Sequence, residues 1–233
     1  MNQQTGTRSD AKFRAVLFDL DGTLVDSLAD IANSANAVLV AMGFAPHSVE
    51  SYRAFVGEGV AVLFQRALPE TAREEATLTA CLTRMREEYG RRWNETTRPY
   101  HGIMEVVASF RSRGIRLAVL SNKPHRFSCQ CVDTFFPPGT FDLVLGQRDD
   151  VPRKPDAAGA MEIRAAFGLD ASDCLFVGDS AVDILTARNA RMSSVGVTWG
   201  FRSREELQQS GADYIIDCPE ELLAIVAGAS SPC

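Results

Sequence analysis

Four short segments of this 233-residue chain carry residue types that could do chemistry together. The first reads Asp19-Leu20-Asp21-Gly22-Thr23, two carboxylates two residues apart followed by a glycine that lets the backbone leave a strand sharply. The last reads Gly178-Asp179-Ser180-Ala181-Val182-Asp183, and a helix starting there would put carboxylates spaced by four on one face. Between them stand Ser121 and Lys154. Carboxylates gathered this closely repel one another unless a cation lies among them. Mg2+ suits such a place, since it keeps several waters and takes a few carboxylates plus phosphate oxygens. With Lys154, the four carboxylates carry a formal −3, so a phosphate dianion approaches Asp19 only if a metal offsets that charge. Metal and phosphate are therefore expected together.

Residues so far apart in sequence need a scaffold that brings them to one edge. Short apolar runs recur at Arg14 to Phe18, Arg116 to Leu120, Phe141 to Leu145, Cys174 to Val177, Ser194 to Val197 and Tyr214 to Ile216. They are continuous rather than alternating, as in parallel strands covered on both faces. Helical stretches lie between them, such as Ile103, Val106, Val107 and Phe110, a helix expected to stop at Gly114. The pattern predicts a doubly wound α/β sheet, in which ligands bind beyond the carboxyl ends of the strands. Each of the four polar positions falls at such an end or just past it.

About 75 residues separate the first two strands, far more than a βα loop of ~2–6 residues needs. Leu28, Ile31, Ala35, Val38 and Leu39 follow helical spacing, with Ser27 as a possible N-cap and Gly43 as the stop. A second helix runs to Leu68, and Thr71 with Glu74 reads as a capping box for a third carrying Leu78, Leu82, Met85 and Tyr89. The expected organisation is an α/β core from residues 1–24 and 101–233 with an all-helical cap from residues 25–100. The aperiodic segment Asn94 to His101 is the expected hinge.

The net charge of −6 disfavours non-specific attraction to nucleic acid or an anionic membrane, so a small-molecule partner is expected. No apolar run reaches the ~20 residues of a spanning helix, and Met1 to Asp10 lack an apolar export segment. The six cysteines show no Cys-x-x-Cys pairing and read as reduced packing residues, which fits the cytoplasm. His47, His101 and His125 have no metal-ligand partners at useful spacing, and Arg153 reads as solvated. Singly, the polar positions also have structural readings: Ser121 and Asn122 could cap a helix begun by Pro124.

As a set, the segments resemble the haloacid dehalogenase superfamily: Asp19-x-Asp21-Gly-Thr-Leu-Val-Asp-Ser is similar to its first motif, Ser121-Asn-Lys to its second, Lys154-Pro to its third and Gly-Asp179-x-x-x-Asp183 to its fourth. The resemblance implies roles. Asp19 would be the nucleophile and a metal ligand. Asp21 would protonate the leaving oxygen, activate water and lend its carbonyl to Mg2+. Gly22 and Thr23 would contact substrate, Ser121 and the Asn122 backbone would hold phosphoryl oxygens, and Lys154 would neutralise charge. Asp179 would complete the metal ligands, with Asp183 orienting from behind. An acid at Asp21 implies phosphatase or phosphomutase chemistry and not dehalogenation.

The Phe-Val-Gly57-Glu-Gly59-Val stretch with Gln65-Arg66-Ala67-Leu68 is similar to phosphatases acting on phosphoglycolate, and Arg66 is expected to hold a substrate carboxylate. Sugar phosphatases, pyrophosphatases and a β-phosphoglucomutase-like isomerase share the first motif. Outside enzymes, a phospho-acceptor or binding module is the alternative. The resemblance implies Ala-Gly at the end of the helix after the fourth motif, whereas this chain has Ala190-Arg191, at a cost of roughly 1 kcal/mol if that position is left-handed.

Overall fold

Ala15–Phe18 (β1) is buried on both faces: Val16 and Phe18 pack into one apolar cluster and Ala15 and Leu17 into another, one on each side of the sheet. The computed structural model describes residues 11–228. Met1 to Asp10 and Cys233, both used in the sequence reading, lie outside the described residues.

After β1 the chain makes Val25–Asp26 (β2), then Leu28–Ala41 (α1), the single turn Tyr52–Phe55 (α2), Val60–Ala67 (α3) and Glu75–Arg92 (α4), and returns through Arg98–Pro99 (β3). There follow Ile103–Ser112 (α5), Arg116–Pro124 (β4), His125–Phe135 (α6), Leu143–Gln147 (β5), Ala158–Phe167 (α7), Cys174–Gly178 (β6), Ala181–Asn189 (α8), Ser193–Val197 (β7), Arg204–Gln209 (α9), Tyr214–Ile216 (β8) and Glu221–Ala227 (α10). Six strands form one parallel sheet in the order β5-β4-β1-β6-β7-β8. The chain winds outward from β1 to β5 and then crosses to β6. The winding direction reverses between β1 and its neighbour β6, which puts the crevice of a doubly wound sheet beside the end of β1.

Two predicted caps are not built. Ser27 stands at the N-cap of α1 but makes no capping bond; its hydroxyl donates to Asp21 Oδ1 at 2.6 Å. Thr71 and Glu74 form no capping box, because residues 70–72 close a 3-10 turn after Pro69 and α4 starts only at Glu75. Thr71, wound into that turn, cannot take the extended conformation that an N-cap requires.

The connections into and out of the helical insert are tied together. β2 and β3 pair as an antiparallel ribbon, and buried Asp30 in the first turn of α1 accepts from Thr96 N and Oγ1 (3.0 and 2.6 Å) and Thr97 N and Oγ1 (2.8 and 2.7 Å). Burial works to raise the Asp30 carboxyl, but these four donors outweigh it and hold it below its ordinary 3.8. A depressed carboxyl stabilises the fold above its unfolded value and loses that contribution as pH falls through the folded one. Asp30→Ala is therefore expected to cost about 2–4 kcal/mol in a denaturant melt at pH 7, with the gap to the parent narrowing below about pH 4.

At the end of α8, Arg191 takes φ 59°, the one non-glycine residue in that region among those described. The Arg191 and Met192 amides donate to Arg188 O and Ala187 O, closing a Schellman motif around a residue with a Cβ. Arg191→Gly is expected to stabilise the protein by about 0.5–1 kcal/mol after its larger unfolded-state entropy is set against the relieved strain, a rise of roughly 1–4 °C in Tm.

Candidate active site

Asp19 follows directly on the end of β1, three residues before Gly22 turns the chain at φ 89°. A Cβ on Gly22 would collide with the Asp179 carboxylate, and one on Gly200 would meet the same side chain. Two glycines thus let three backbone segments close around Asp179, whose Oδ2 accepts from Phe201 N at 2.7 Å. At the start of α8, Ser180 and Asp183 form a capping box, with Ser180 Oγ donating to Asp183 Oδ2 at 2.6 Å. The box turns Asp183 back toward the sheet, so Asp19, Asp179 and Asp183, all buried, present carboxylate oxygens within 4.8 Å of one another.

Lys154, in the segment between β5 and α7, is buried with its Nζ 2.7 Å from both Asp19 Oδ1 and Asp183 Oδ1. Burial pulls its pKa down, but the two carboxylates outweigh that and raise it, so the ammonium stays charged. One ammonium does not balance three carboxylates. Burial pushes Asp19 up to about 7 against the pull of Lys154, and burial together with Asp183 and Asp19 pushes Asp179 well above the usual range. All-oxygen donors, clustered, buried and short of positive charge, fit a hard divalent cation.

β4 runs on past Leu120 through Pro124, with a register shift against β5 between Leu120 and Pro124, which pairs Gln147. Ser121 and Asn122 are therefore strand residues and not caps of α6. The Asn122 side chain accepts from Lys154 N (2.9 Å) and donates to Lys154 O (3.1 Å) and to Gly57 O of the cap (3.1 Å). It fixes the backbone that carries Lys154, beyond the backbone role expected of it.

Lys123, to which the sequence reading assigned nothing, is buried and donates to both oxygens of Asp21, at 2.8 and 3.1 Å. Strand alternation was the available signal, since it puts Lys123 on the same side as Ser121. With Lys123, four carboxylates face two ammonium groups and the local formal charge is −2, correcting the −3 counted from sequence.

Asp19, Asp21, Ser121, Asn122 and Lys123 open onto a cavity of about 910 Å3 between core and insert, whose far wall includes Gly57, Gly59, Leu63, Leu82, Met85 and Tyr89. Three expected substrate contacts are not on that wall. Gly22 packs under Asp179 and Thr23 is fully buried. Arg66 is paired with Glu58 and donates to Ala54 O at 3.2 Å, so its guanidinium braces the loop between α2 and α3. Arg86, Arg126 and Arg153 line the cavity instead, all three exposed, so that Arg153 is solvated as expected.

A family model described as haloacid dehalogenase-like hydrolase matches residues 16–197. The chain belongs to this family. It is 32% identical over 226 residues to a phosphoglycolate phosphatase of Vibrio parahaemolyticus, covering 95% of this chain and 98% of that one. One from Pseudomonas fluorescens is 32% identical over 214 residues, with 90% and 78% covered. A crystal structure of a predicted phosphoglycolate phosphatase from Haemophilus somnus superposes with a TM-score of 0.86 at 31% identity over 92% of this chain and 98% of that one. The family hydrolase is thus an enzyme of the phosphatase kind, carrying the acidic cluster typical of metal-dependent members.

Proposed function

We propose that this phosphatase hydrolyses 2-phosphoglycolate to glycolate and phosphate through an aspartyl-phosphate on Asp19, in the cytoplasm. The observation that carries the reading is the contact of Asp19 with Lys154 among the buried carboxylates, at the floor of a cavity that the helical insert walls. Residues 1–24 and 101–233 form the catalytic core in this reading, and residues 25–100 the cap. Asp19, Asp179 and the Asp21 carbonyl would hold Mg2+, which supplies positive charge that keeps Asp19 ionised and offsets the phosphate.

Asp19 Oδ attacks phosphorus while the bond to the glycolate oxygen breaks, and Asp21 gives that oxygen a proton. Asp21 then takes a proton from water, which attacks phosphorus of the aspartyl-phosphate, and the bond from phosphorus to Asp19 Oδ breaks to restore Asp19 as phosphate leaves. Lys154 steadies charge on Asp19 and the phosphoryl oxygens, Asp183 orients Lys154, and Ser121 with the Asn122 amide binds phosphoryl oxygens. The cap covers the leaving group and excludes water during the first step.

The test is phosphate release from a panel of phosphorylated metabolites with Mg2+ and with chelator. Turnover should be highest for 2-phosphoglycolate and lost in chelator. A preferred sugar phosphate or pyrophosphate would overturn the substrate, and isomerised hexose phosphate without free phosphate would overturn hydrolysis.

A further inference from the structure

Lys123 has three N–H donors and three acceptors: the two oxygens of Asp21 and, at 2.6 Å, the hydroxyl of Tyr89. Tyr89 belongs to α4 of the insert, where its ring also stands edge-on to Phe127 of α6, centroids 5.1 Å apart. On the other side, Ser27 at the exit to the insert donates to Asp21 Oδ1. Groups from both ends of the insert thus reach Asp21, Ser27 directly and Tyr89 through Lys123. A buried ammonium is costly unless fully paired, and a methionine would fill the same space without that cost. Packing alone does not account for Lys123.

We infer that Lys123 is a positioning residue that aims Asp21 for proton transfer, and that Tyr89 completes its coordination only when the cap is seated. The inference rests on the phosphatase reading and deepens it: the acid is set by the same contact that marks closure over substrate. With the cap swung away, Lys123 loses one of its three acceptors and the bidentate hold on Asp21 relaxes toward solvent. Proton delivery is then tied to a covered leaving group.

The experiment compares kcat/KM for aryl phosphates of graded leaving-group basicity in Lys123→Met, Tyr89→Phe and the double variant, with folding followed by thermal melts. A basic leaving group needs the proton and an acidic one does not. Lys123→Met should therefore lose about 10- to 100-fold more on the most basic leaving group than on nitrophenyl phosphate. Tyr89→Phe should steepen the same dependence by about three- to tenfold, and the double variant should be no steeper than Lys123→Met. A loss equal for all leaving groups, or none, would show a structural lysine and overturn the inference. Additive slopes in the double variant, or an unchanged slope in Tyr89→Phe, would overturn the tie to the cap. These outcomes leave the parent's phosphatase activity standing, whereas a parent chain that releases no phosphate from any aryl ester with Mg2+ would remove the reading beneath it.

Discussion

Asp19→Asn should release phosphate at less than about 1% of the parent rate with Mg2+ present, because the amide removes both the attacking oxygen's charge and a metal ligand. The fold should survive. In the metal-free protein the substitution should even stabilise it, and the sign follows from the raised carboxyl: with a folded value of about 7 against an ordinary 3.8, the parent loses stability as pH rises between those values. Asp19→Asn escapes that loss, so in chelator at pH 8 its Tm should exceed the parent's. Phosphate release well above 1% of the parent rate would exclude Asp19 as the nucleophile. A Tm below the parent's would show that the Lys154 contact outweighs the burial of charge.

Asp21→Ala should lower kcat about 10²- to 10⁴-fold, the usual contribution of a positioned acid-base group. It also takes both carboxylate acceptors from buried Lys123, so destabilisation of about 3 kcal/mol should accompany the kinetic loss. Asp21→Asn separates the two effects, since its amide oxygen still accepts from Lys123 while the group cannot exchange a proton. It should be slow like the alanine variant but melt above it, staying below the parent because Lys123 keeps one acceptor and loses the opposite charge. An unchanged kcat in either variant would remove Asp21 from proton transfer.

The strands and the four polar segments were readable from the chain because each is a local pattern. A continuous apolar run marks a strand buried on both faces, and Gly22 and Gly43 mark where the backbone turns through positive φ. The position of Asp19, Ser121, Asp179 and Lys154 at one edge follows from alternation of strand and helix, since parallel connections all return to the same end. Arg191 was legible for the same reason, as a side chain standing in a left-handed cap. Local signals failed where tertiary partners competed for the same atoms. Ser27 looks like a helix cap, yet its hydroxyl is spent on Asp21, and Arg66 looks like a free fork until Glu58 and the Ala54 carbonyl take it. Lys123 and Tyr89 lie 34 residues apart in different elements, and nothing in either neighbourhood indicates that they meet. Which groups gather at the sheet edge is therefore a local matter, because backbone direction and side-chain alternation are set residue by residue. How each charge is paired is not local, because pairing depends on which buried donors and acceptors the packed insert and core bring within about 3 Å of one another.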